Sequence, residues 1–567
     1  MDPASINGGA LGQYAMQARS TCRIWILSAL LAIGLVAFGS PVLAQSTGSA
    51  QPAASATPIV ISPGTTPSAA SLDKVGAAAA EACAKPKLKS PKRPEKPLYE
   101  KLLPIGVLLI VISIVLARLP KVELGHSDAF RRRRLLNWLV LGLTYSFLYM
   151  ARYNLNQYKY VGGLTESEFG QIFGWGSATY GVAFLLNGPL TDRWGGRTTI
   201  MIAAGGAAVA SLAMGYAVYS KSALLGTPFQ TMLILYSANM YFQSFGAVSI
   251  VKVNGSWFHL RERGTFGGIF GILISLGLFF AYDGGKMITD AFPTQLEWVF
   301  FIPAGILIVF FVLCWLFVRD TPSKAGQTDF DLGDASTPDD GTKEPAVKVI
   351  VRLLSNPIIL TIALIELCSG FLRQAILQWG RDFSSGVGLG NSFVIENWGV
   401  VSCIAGITGG MFAGAISDHL FQSRRGPVAA VLYVLMLVGA IAIIPLILLS
   451  STSLIPWVIA FMSMAIIGVH GMLSGTASAD FGGRKNTGTA VGIIDGFVYA
   501  GSMVQSFLYG AYLPEKLIIC ADTTTRSNPE SKNVDNWMIW PYAMIPIALI
   551  GLVLSLRVWN ARAHPKS

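Results

Sequence analysis

Three basic residues lie deep inside apolar stretches of the sequence, where charge is costly. They are Arg152, Lys252 and Arg373. A charged side chain at the centre of a membrane helix costs about 2.5–3.5 kcal/mol on insertion scales, so it faces a cavity or a partner and not lipid. A guanidinium group stays charged and binds phosphate or carboxylate through two parallel hydrogen bonds. The two arginines therefore predict a buried anion site. Lys252 is a weaker candidate because it can reach the membrane interface from its helix end.

Other polar side chains in the apolar stretches are candidates for the same site. Tyr145 and Tyr149 lie seven and three residues before Arg152, so the three share one helix face. Their hydroxyls suit phosphate oxygens or sugar hydroxyls, and aromatic packing between helices is the alternative interpretation. His470 and Asp495 are also unusual in apolar surroundings. The sequence leaves open whether they bind substrate, carry a proton or pack against other helices.

Composition indicates the elements that must position these residues. The chain has 567 residues, of which 52% are hydrophobic and 13% are charged, whereas soluble proteins are about 25% charged. A soluble multidomain protein is excluded on this ground. The length accommodates a dozen membrane spans of about 20 residues each, and spans must be helices because lipid offers no hydrogen-bond partners. We predict spans near 135–157, 168–190, 198–219, 228–256, 264–283, 296–318, 354–379, 394–417, 427–449, 455–478, 487–511 and 538–560.

The net charge of +11 would also fit nucleic-acid binding. Basic residues concentrated in cytoplasmic loops explain it better in a membrane protein, so we expect no nucleic-acid partner. We find no metal-binding, P-loop or nucleophile-elbow motif. Accordingly we predict neither an enzyme with catalytic residues nor a bound metal or cofactor.

An extension precedes the predicted core. Residues 1–44 resemble a secretory signal, either cleaved or kept as an anchor, with an apolar run followed by small residues. Residues 45–101 are rich in Ala, Ser, Thr and Pro, which predicts a disordered exported linker. Residues 102–118 are just long enough for one extra transmembrane helix.

The core divides into two halves with matching sequence features. We predict an N-terminal bundle of six helices at 131–318, a cytoplasmic central loop at 319–352 and a C-terminal bundle of six helices at 353–560. Lys and Arg concentrate in alternate loops, which places both core termini in the cytoplasm. Arg152 and Arg373 occupy matched positions, 221 residues apart. Paired six-helix halves are typical of transporters that alternate access around a midplane site.

Two loops, one in each half, have features that are typical of a gate. A tight turn rich in glycine surrounds Asp192, Arg193 and Arg197, and the second half has a related loop with Asp418 and Arg425. Glycine permits close backbone approach, and the aspartates can pair with arginines near helix ends. We interpret these loops as gating elements and not as a substrate site.

Several short motifs carry a resemblance to a known family over roughly 131–560. The Asp192 loop resembles the signature loop of the major facilitator superfamily. Within that superfamily the chain resembles the organophosphate:phosphate antiporters, which include bacterial glycerol-3-phosphate and hexose-phosphate transporters. The motifs that carry this resemblance are Tyr149-Met-Ala-Arg152-Tyr-Asn154, Phe242-Gln243, Trp257-Phe258, Arg261-Glu262-Arg263-Gly264, Arg319-Asp320-Thr321-Pro322-Ser323, Phe371-Leu-Arg373-Gln-Ala-Ile-Leu-Gln-Trp379, Ser417-Asp418-His-Leu-Phe421, Arg424-Arg425-Gly426 and Ile-Ile-Asp495-Gly496.

The resemblance implies a function and a set of site residues. Family members bind phosphate with two arginines, which correspond to Arg152 and Arg373, and cavity tyrosines correspond to Tyr145, Tyr149 and Tyr499. The implied fold is an all-α membrane protein with the twelve-helix major facilitator architecture, here with the N-terminal signal and one extra helix. The implied function is transport of a sugar phosphate or glycerol phosphate, with inorganic phosphate as the exchanged ion.

The chain also departs from the family pattern. Phe184 and Ile274 replace a lysine and a histidine of the glycerol-phosphate transporters, so an accessory positive charge is lost. Two alternatives stay open: a proton-coupled transporter, with Asp495 or His470 as the titrating group, and a sugar-phosphate sensor that does not transport. We expect a monomer in the bilayer of the inner (plasma) membrane.

Overall fold

The computed structural model describes residues 105–114, 125–259, 262–331, 345–421, 424–449, 451–477, 487–519 and 525–560. The chain divides into two units, Met1–Ile61 and Ser62–Ser567, and all the described residues belong to the second. The predicted signal, the predicted linker and both ends of the predicted extra helix lie outside the described residues.

The described chain is helical apart from one small ribbon. Its helices before the central loop are α1 (Ile105–Ile114), α2 (Asp128–Tyr160), α3 (Glu166–Trp194), α4 (Gly196–Ser220), α5 (Pro228–Asn254), α6 (Arg263–Phe279), α7 (Gly285–Ala291) and α8 (Trp298–Phe317). Those after it are α9 (Ala346–Leu354), α10 (Pro357–Gly386), α11 (Phe393–Glu396), α12 (Trp398–Leu420), α13 (Arg425–Leu448), α14 (Ile455–His470), α15 (Thr487–Tyr512) and α16 (Ile539–Arg557).

Shorter elements join these helices. The π-helical segments Phe280–Gly284 and Gly471–Ala477 continue α6 and α14. Strands β1 (Leu517–Ile519) and β2 (Thr525–Ser527) form an antiparallel ribbon. The 3₁₀ turns are Ser323–Ala325, Thr452–Leu454, Pro529–Lys532 and Val534–Trp537.

Local sequence explains where the site-bearing helices begin. The side chain of Ser127 accepts the Phe130 N–H and caps α2. Thr165 and Glu168 form a reciprocal capping box at the start of α3. Asn356 caps α10, and Pro357 occupies its first position, where no N–H is needed. Such caps satisfy donors that the first helical turn leaves unpaired.

Eight helices in the described part of the chain are long and apolar enough to cross a membrane. The long helices α2, α3 and α5 are not among these eight, because they carry many polar residues. In α2 several of these polar side chains are buried inside the protein: Asn137, Thr144, Ser146, Arg152, Asn154, Asn156 and Gln157. Polar residues that face the interior of a bundle lower the apparent hydropathy of a helix without exposing charge to lipid.

Helices α3 and α15 pack closely along their lengths through glycines. A Cβ atom placed on Gly188 would lie 2.7 Å from the Gly488 carbonyl oxygen, and one on Gly170 would lie 2.5 Å from the Gly510 Cα. Small residues allow helix backbones in membranes to approach in this way. The contact joins the region before the central loop to the region after it. Separately, Leu108 of α1 is buried against residues of α6 and α12.

Candidate functional site

Arg152 lies buried in α2 and its guanidinium group is held on several sides. Its Nε donates to Gln243 Oε1 at 3.0 Å, its Nη2 donates to the Tyr180 hydroxyl at 2.7 Å, and its Nη1 donates to the Tyr499 hydroxyl. Gln243 belongs to α5, Tyr180 to α3 and Tyr499 to α15. The arginine therefore connects helices that precede and follow the central loop.

Aromatic rings surround this guanidinium group. Its carbon lies 4.8 Å from the ring centroid of Tyr149, 4.5 Å from that of Tyr180 and 5.5 Å from that of Tyr499. The ring of Tyr145 packs edge-on to Tyr149 at 5.1 Å. Cation–π attraction stabilises a buried cation in such surroundings. The structure thus brings Arg152 together with all three tyrosines predicted from the sequence.

Tyr180 was not among the residues predicted from the sequence. Its ring stacks on Tyr499 at 4.0 Å and meets Phe184 edge-on at 4.6 Å. Tyr180 lies in the middle of α3 without charged neighbours, so only its spacing from Phe184, one turn along α3, marked it. Phe184 therefore lies against two of the tyrosines that contact Arg152 and adds apolar surface to the site.

Arg373 lies buried in α10 with unused donors. Its Nε and Nη2 have no hydrogen-bond partner within the described chain. Tyr149 and Tyr499 lie within electrostatic range of both Arg373 and Arg152, so the two arginines approach the same pair of rings. Buried donors without partners are rare in folded proteins, because each costs about 1–3 kcal/mol. The Arg373 donors are thus available to an anion.

A buried acidic cluster lies beside Arg373. His470 Nδ1 of α14 is 3.0 Å from Oε2 of Glu366 in α10. Asp495 of α15 accepts a hydrogen bond from Ser474 through Oδ1. His470 and Asp495 were sequence candidates, whereas Glu366 was missed although an acidic residue in an apolar stretch is the same kind of signal as the arginines.

An ionic triad joins helices at the far end of α2 and α10. Asp382 is fully buried and pairs through its two oxygens with Lys159 of α2 and with Lys516, which follows α15. The Lys159 ammonium also lies 4.2 Å from the Phe169 ring centroid and 4.4 Å from that of Trp379. These three charged residues were not sequence candidates, because they lie near helix ends where charge is common.

A pair of carboxyl groups lies next to this triad. Glu515 accepts the backbone N–H groups of Glu166 and Ser167 at 2.7 and 2.8 Å, at the start of α3. Glu166 in turn accepts the backbone N–H of Lys516 at 3.1 Å. Burial, and then the hydrogen bond and negative charge of Glu166, raise the pKa of Glu515 to about 8.

The predicted gating loop of Asp192 also joins the two regions. Asp192 pairs with Lys252 of α5 at 2.9 Å and accepts the N–H and hydroxyl of Thr489 in α15 at 3.1 Å. Lys252 thus contacts this loop, and it is not among the groups that contact Arg152. Gly195 adopts a φ of 84°, and the Arg197 N–H beyond it donates to Asp320 at 2.8 Å.

Three other loop residues contribute less. Arg193 is exposed, and the Arg425 Nη1 lies 3.5 Å from Ser417 Oγ. The Asp418 side chain lies outside what the structure describes.

Comparison with known proteins places this architecture. A family model for the Major Facilitator Superfamily matches residues 134–506. The chain belongs to the major facilitator superfamily. It is 26% identical to the glycerol-3-phosphate transporter of Bacillus subtilis (strain 168), over 66% of this chain and 84% of the relative. It is 25% identical to the membrane sensor protein UhpC of Salmonella typhimurium, over 68% of this chain and 86% of that protein.

Solved structures agree on the fold of this superfamily member. The alignment with the structure of a bacterial homologue of the human lysosomal transporter Spinster covers 77% of this chain and 98% of that chain, with a TM-score of 0.54 at 12% identity. That similarity supports the fold alone. With its apolar helices, the superfamily member is a multi-pass membrane protein.

Proposed function

We propose that this chain carries phosphorylated organic anions across a membrane, with Arg152 and Arg373 as the phosphate-binding pair. The observation that carries the proposal is Arg373, which is buried and has two guanidinium nitrogens without hydrogen-bond partners among the described residues. A phosphate group supplies acceptors that match a planar guanidinium fork. The B. subtilis relative is named as a glycerol-3-phosphate transporter, which supports this class of substrate.

The architecture that suits this function has twelve spans in two six-helix bundles, 131–318 and 353–560. In this proposal the protein lies in the inner (plasma) membrane. Both core termini face the cytoplasm, and the linker 45–101 is exported. The helix 102–118 is one additional span, and the carrier acts as a monomer. In this orientation the triad of Asp382 lies on the exported side and the Asp192 loop on the cytoplasmic side. Each joins the bundles at one end of the arginine site, as alternating access requires.

Exchange follows from the electrostatics of the site. Two guanidinium groups that approach the same tyrosines repel each other when the site is empty, and a phosphate dianion neutralises them. The loaded carrier therefore reorients more easily than the empty one. Under this scheme, inorganic phosphate or a second organophosphate supports the return step.

Vesicle uptake tests the proposal. Liposomes that contain the purified protein and a preloaded organophosphate should take up labelled organophosphate much faster than empty liposomes, and an uncoupler should change the rate little. Arg373→Lys should abolish uptake, because an ammonium group cannot reproduce the fork. Uptake into empty vesicles that an uncoupler stops would instead indicate proton coupling through Asp495 or His470. No uptake of any organophosphate under either condition would contradict the proposal.

A second candidate function is sensing without transport. The specific support is the similarity to a membrane sensor protein, which nearly equals that to the glycerol-3-phosphate transporter. The two functions share the arginine site. A protein that binds organophosphates through Arg373 but does not exchange them would be a sensor.

A further inference from the structure

The proposed phosphate site leaves the acidic cluster of Glu366, His470 and Asp495 unused. Glu366 is fully buried and precedes Arg373 by seven residues, which places it two turns away on the same helix face. Its Oε2 contacts His470. Its Oε1 lies near Ser369 and has no hydrogen-bond partner in the described chain. Asp495 is within electrostatic range of Glu366. A buried carboxylate oxygen in this situation is available to a donor from a ligand.

The carboxylates and the arginines are neighbours that do not pair. Arg152 uses its donors on Gln243, Tyr180 and Tyr499, and the two free nitrogens of Arg373 have no acceptor in the described residues. Asp495 precedes Tyr499 by one helical turn, and Glu366 precedes Arg373 by two turns. The negative groups therefore form a layer beside the positive layer, and the site has a positive side and a negative side.

Charge balance shows what such a site accepts. A phosphate dianion offsets both guanidinium groups and leaves two buried carboxylates, of which His470 can offset one when it is protonated. A buried carboxylate without a compensating cation is strongly unfavourable. A ligand that brings its own ammonium group removes this imbalance and supplies three N–H donors.

We propose that Glu366 and Asp495, with His470, bind the ammonium group of an amino-sugar phosphate whose phosphate occupies the arginine pair. This proposal rests on the proposed function and specifies its substrate class. Seven residues of helix rise by about 10 Å, so a sugar ring between amine and phosphate spans the two layers better than a two-carbon chain does. A proton taken up with an amine-free substrate is the competing use of the same carboxylates.

Calorimetric titration of the purified full-length protein distinguishes these uses. The probes are glucosamine 6-phosphate and glucose 6-phosphate, which differ by an amine in place of a hydroxyl. Each is titrated in two buffers of different ionisation enthalpy, which reports proton uptake. We expect glucosamine 6-phosphate to bind at least tenfold more tightly and without proton uptake. Glu366→Gln should remove this preference, whereas the half-exposed Glu297→Gln should keep it.

Each other outcome has a distinct meaning. Equal affinity for both sugars, lost in Arg373→Lys, would keep the phosphate site and overturn the ammonium site. Glucose 6-phosphate binding with uptake of one proton and no preference for the amine would assign the cluster to a proton. Failure of the wild-type protein to bind either sugar phosphate would overturn the ammonium site, and failure to bind glycerol 3-phosphate as well would overturn the proposed function itself. If Glu366→Gln does not fold, Asp495→Asn serves as the second variant, and a preserved tenfold preference in it would overturn the proposal.

Discussion

Replacement of Asp382 by Asn should open the proposed exported side of the protein. Asp382 is the single carboxylate that pairs with both Lys159 and Lys516, which belong to different parts of the chain. Asparagine keeps the shape of the side chain and removes its charge. The closed arrangement then holds two ammonium groups around a neutral amide, whereas an open arrangement lets both hydrate.

The size of the effect follows from burial. Removing one partner of a buried ion pair costs about 3–5 kcal/mol. Lys159 is 2% exposed and Lys516 is 24% exposed, so most of this cost falls on Lys159. Since every 1.4 kcal/mol is a factor of ten, the open population should rise by about a hundredfold or more. Lys159→Met added to Asp382→Asn should restore much of the closure, because the charge that cannot hydrate is gone.

Labelling of a cysteine beneath the triad measures this opening. Gln378 is buried one turn before Asp382 and its side-chain amide has no partner in the described chain, so Gln378→Cys removes no hydrogen bond. In a background without native cysteines, a membrane-impermeant maleimide should label it about a hundredfold faster in Asp382→Asn. The exposed Asp535→Asn is the matched control and should not change the rate. An unchanged rate in well-folded Asp382→Asn would refute the role of the triad in closure.

Three further predictions concern the arginines, one carboxyl group and one glycine. Arg152→Lys and Arg373→Lys should each abolish organophosphate uptake without loss of folded protein, measured by vesicle uptake and gel filtration. Protonated Glu515 stabilises the closed contact fully below its ordinary pKa of 4.5, and this contribution is lost as the pH rises through about 8. Labelling of the cysteine beneath the triad should therefore accelerate at least about tenfold between pH 6 and 9. A Glu515→Gln variant should not show this acceleration. Gly188→Val should slow exchange at normal yield, because its Cβ would lie 2.7 Å from the Gly488 carbonyl and overpacking costs about 1–3 kcal/mol.

The site residues that could be predicted are those whose energetic cost in a membrane is evident from the sequence of a single helix. Arg152 and Arg373 are conspicuous because charge in an apolar stretch needs a partner wherever the helix lies, and the structure buries both. Tyr145 and Tyr149 followed from helical periodicity within α2, whereas Tyr499 of α15 followed only from the family resemblance. Glu366 carried the same signal and was overlooked, so that omission reflects the interpretation and not the sequence.

Other parts depend on contacts between distant segments. Lys159 and Asp382 are 223 residues apart, and each alone looks like an ordinary charge at a helix end. Tyr180 gains its role only through Arg152 and Tyr499. Helix bounds show a related limit: α2 begins at Asp128, well before the predicted span, because the Ser127 cap and not the membrane boundary decides where the helix starts. The eight apolar helices were detectable by composition.

Arg152 and Arg373 differ in their hydrogen bonding within the described residues, and under the proposed function this difference couples binding to movement. Two guanidinium nitrogens of Arg373 have no partner among the described residues, so a phosphate group breaks no hydrogen bond of theirs within that part of the chain. Arg152 already donates to the hydroxyl of Tyr499 across the two regions of the chain. A charged phosphate oxygen is a stronger acceptor than a neutral hydroxyl, so a phosphate that bridges both arginines replaces Tyr499 on Arg152. This replacement of acceptors removes one hydrogen bond between α2 and α15 while the substrate forms its own hydrogen bonds. Under the proposed function, substrate binding thereby loosens the contact between helices that must move.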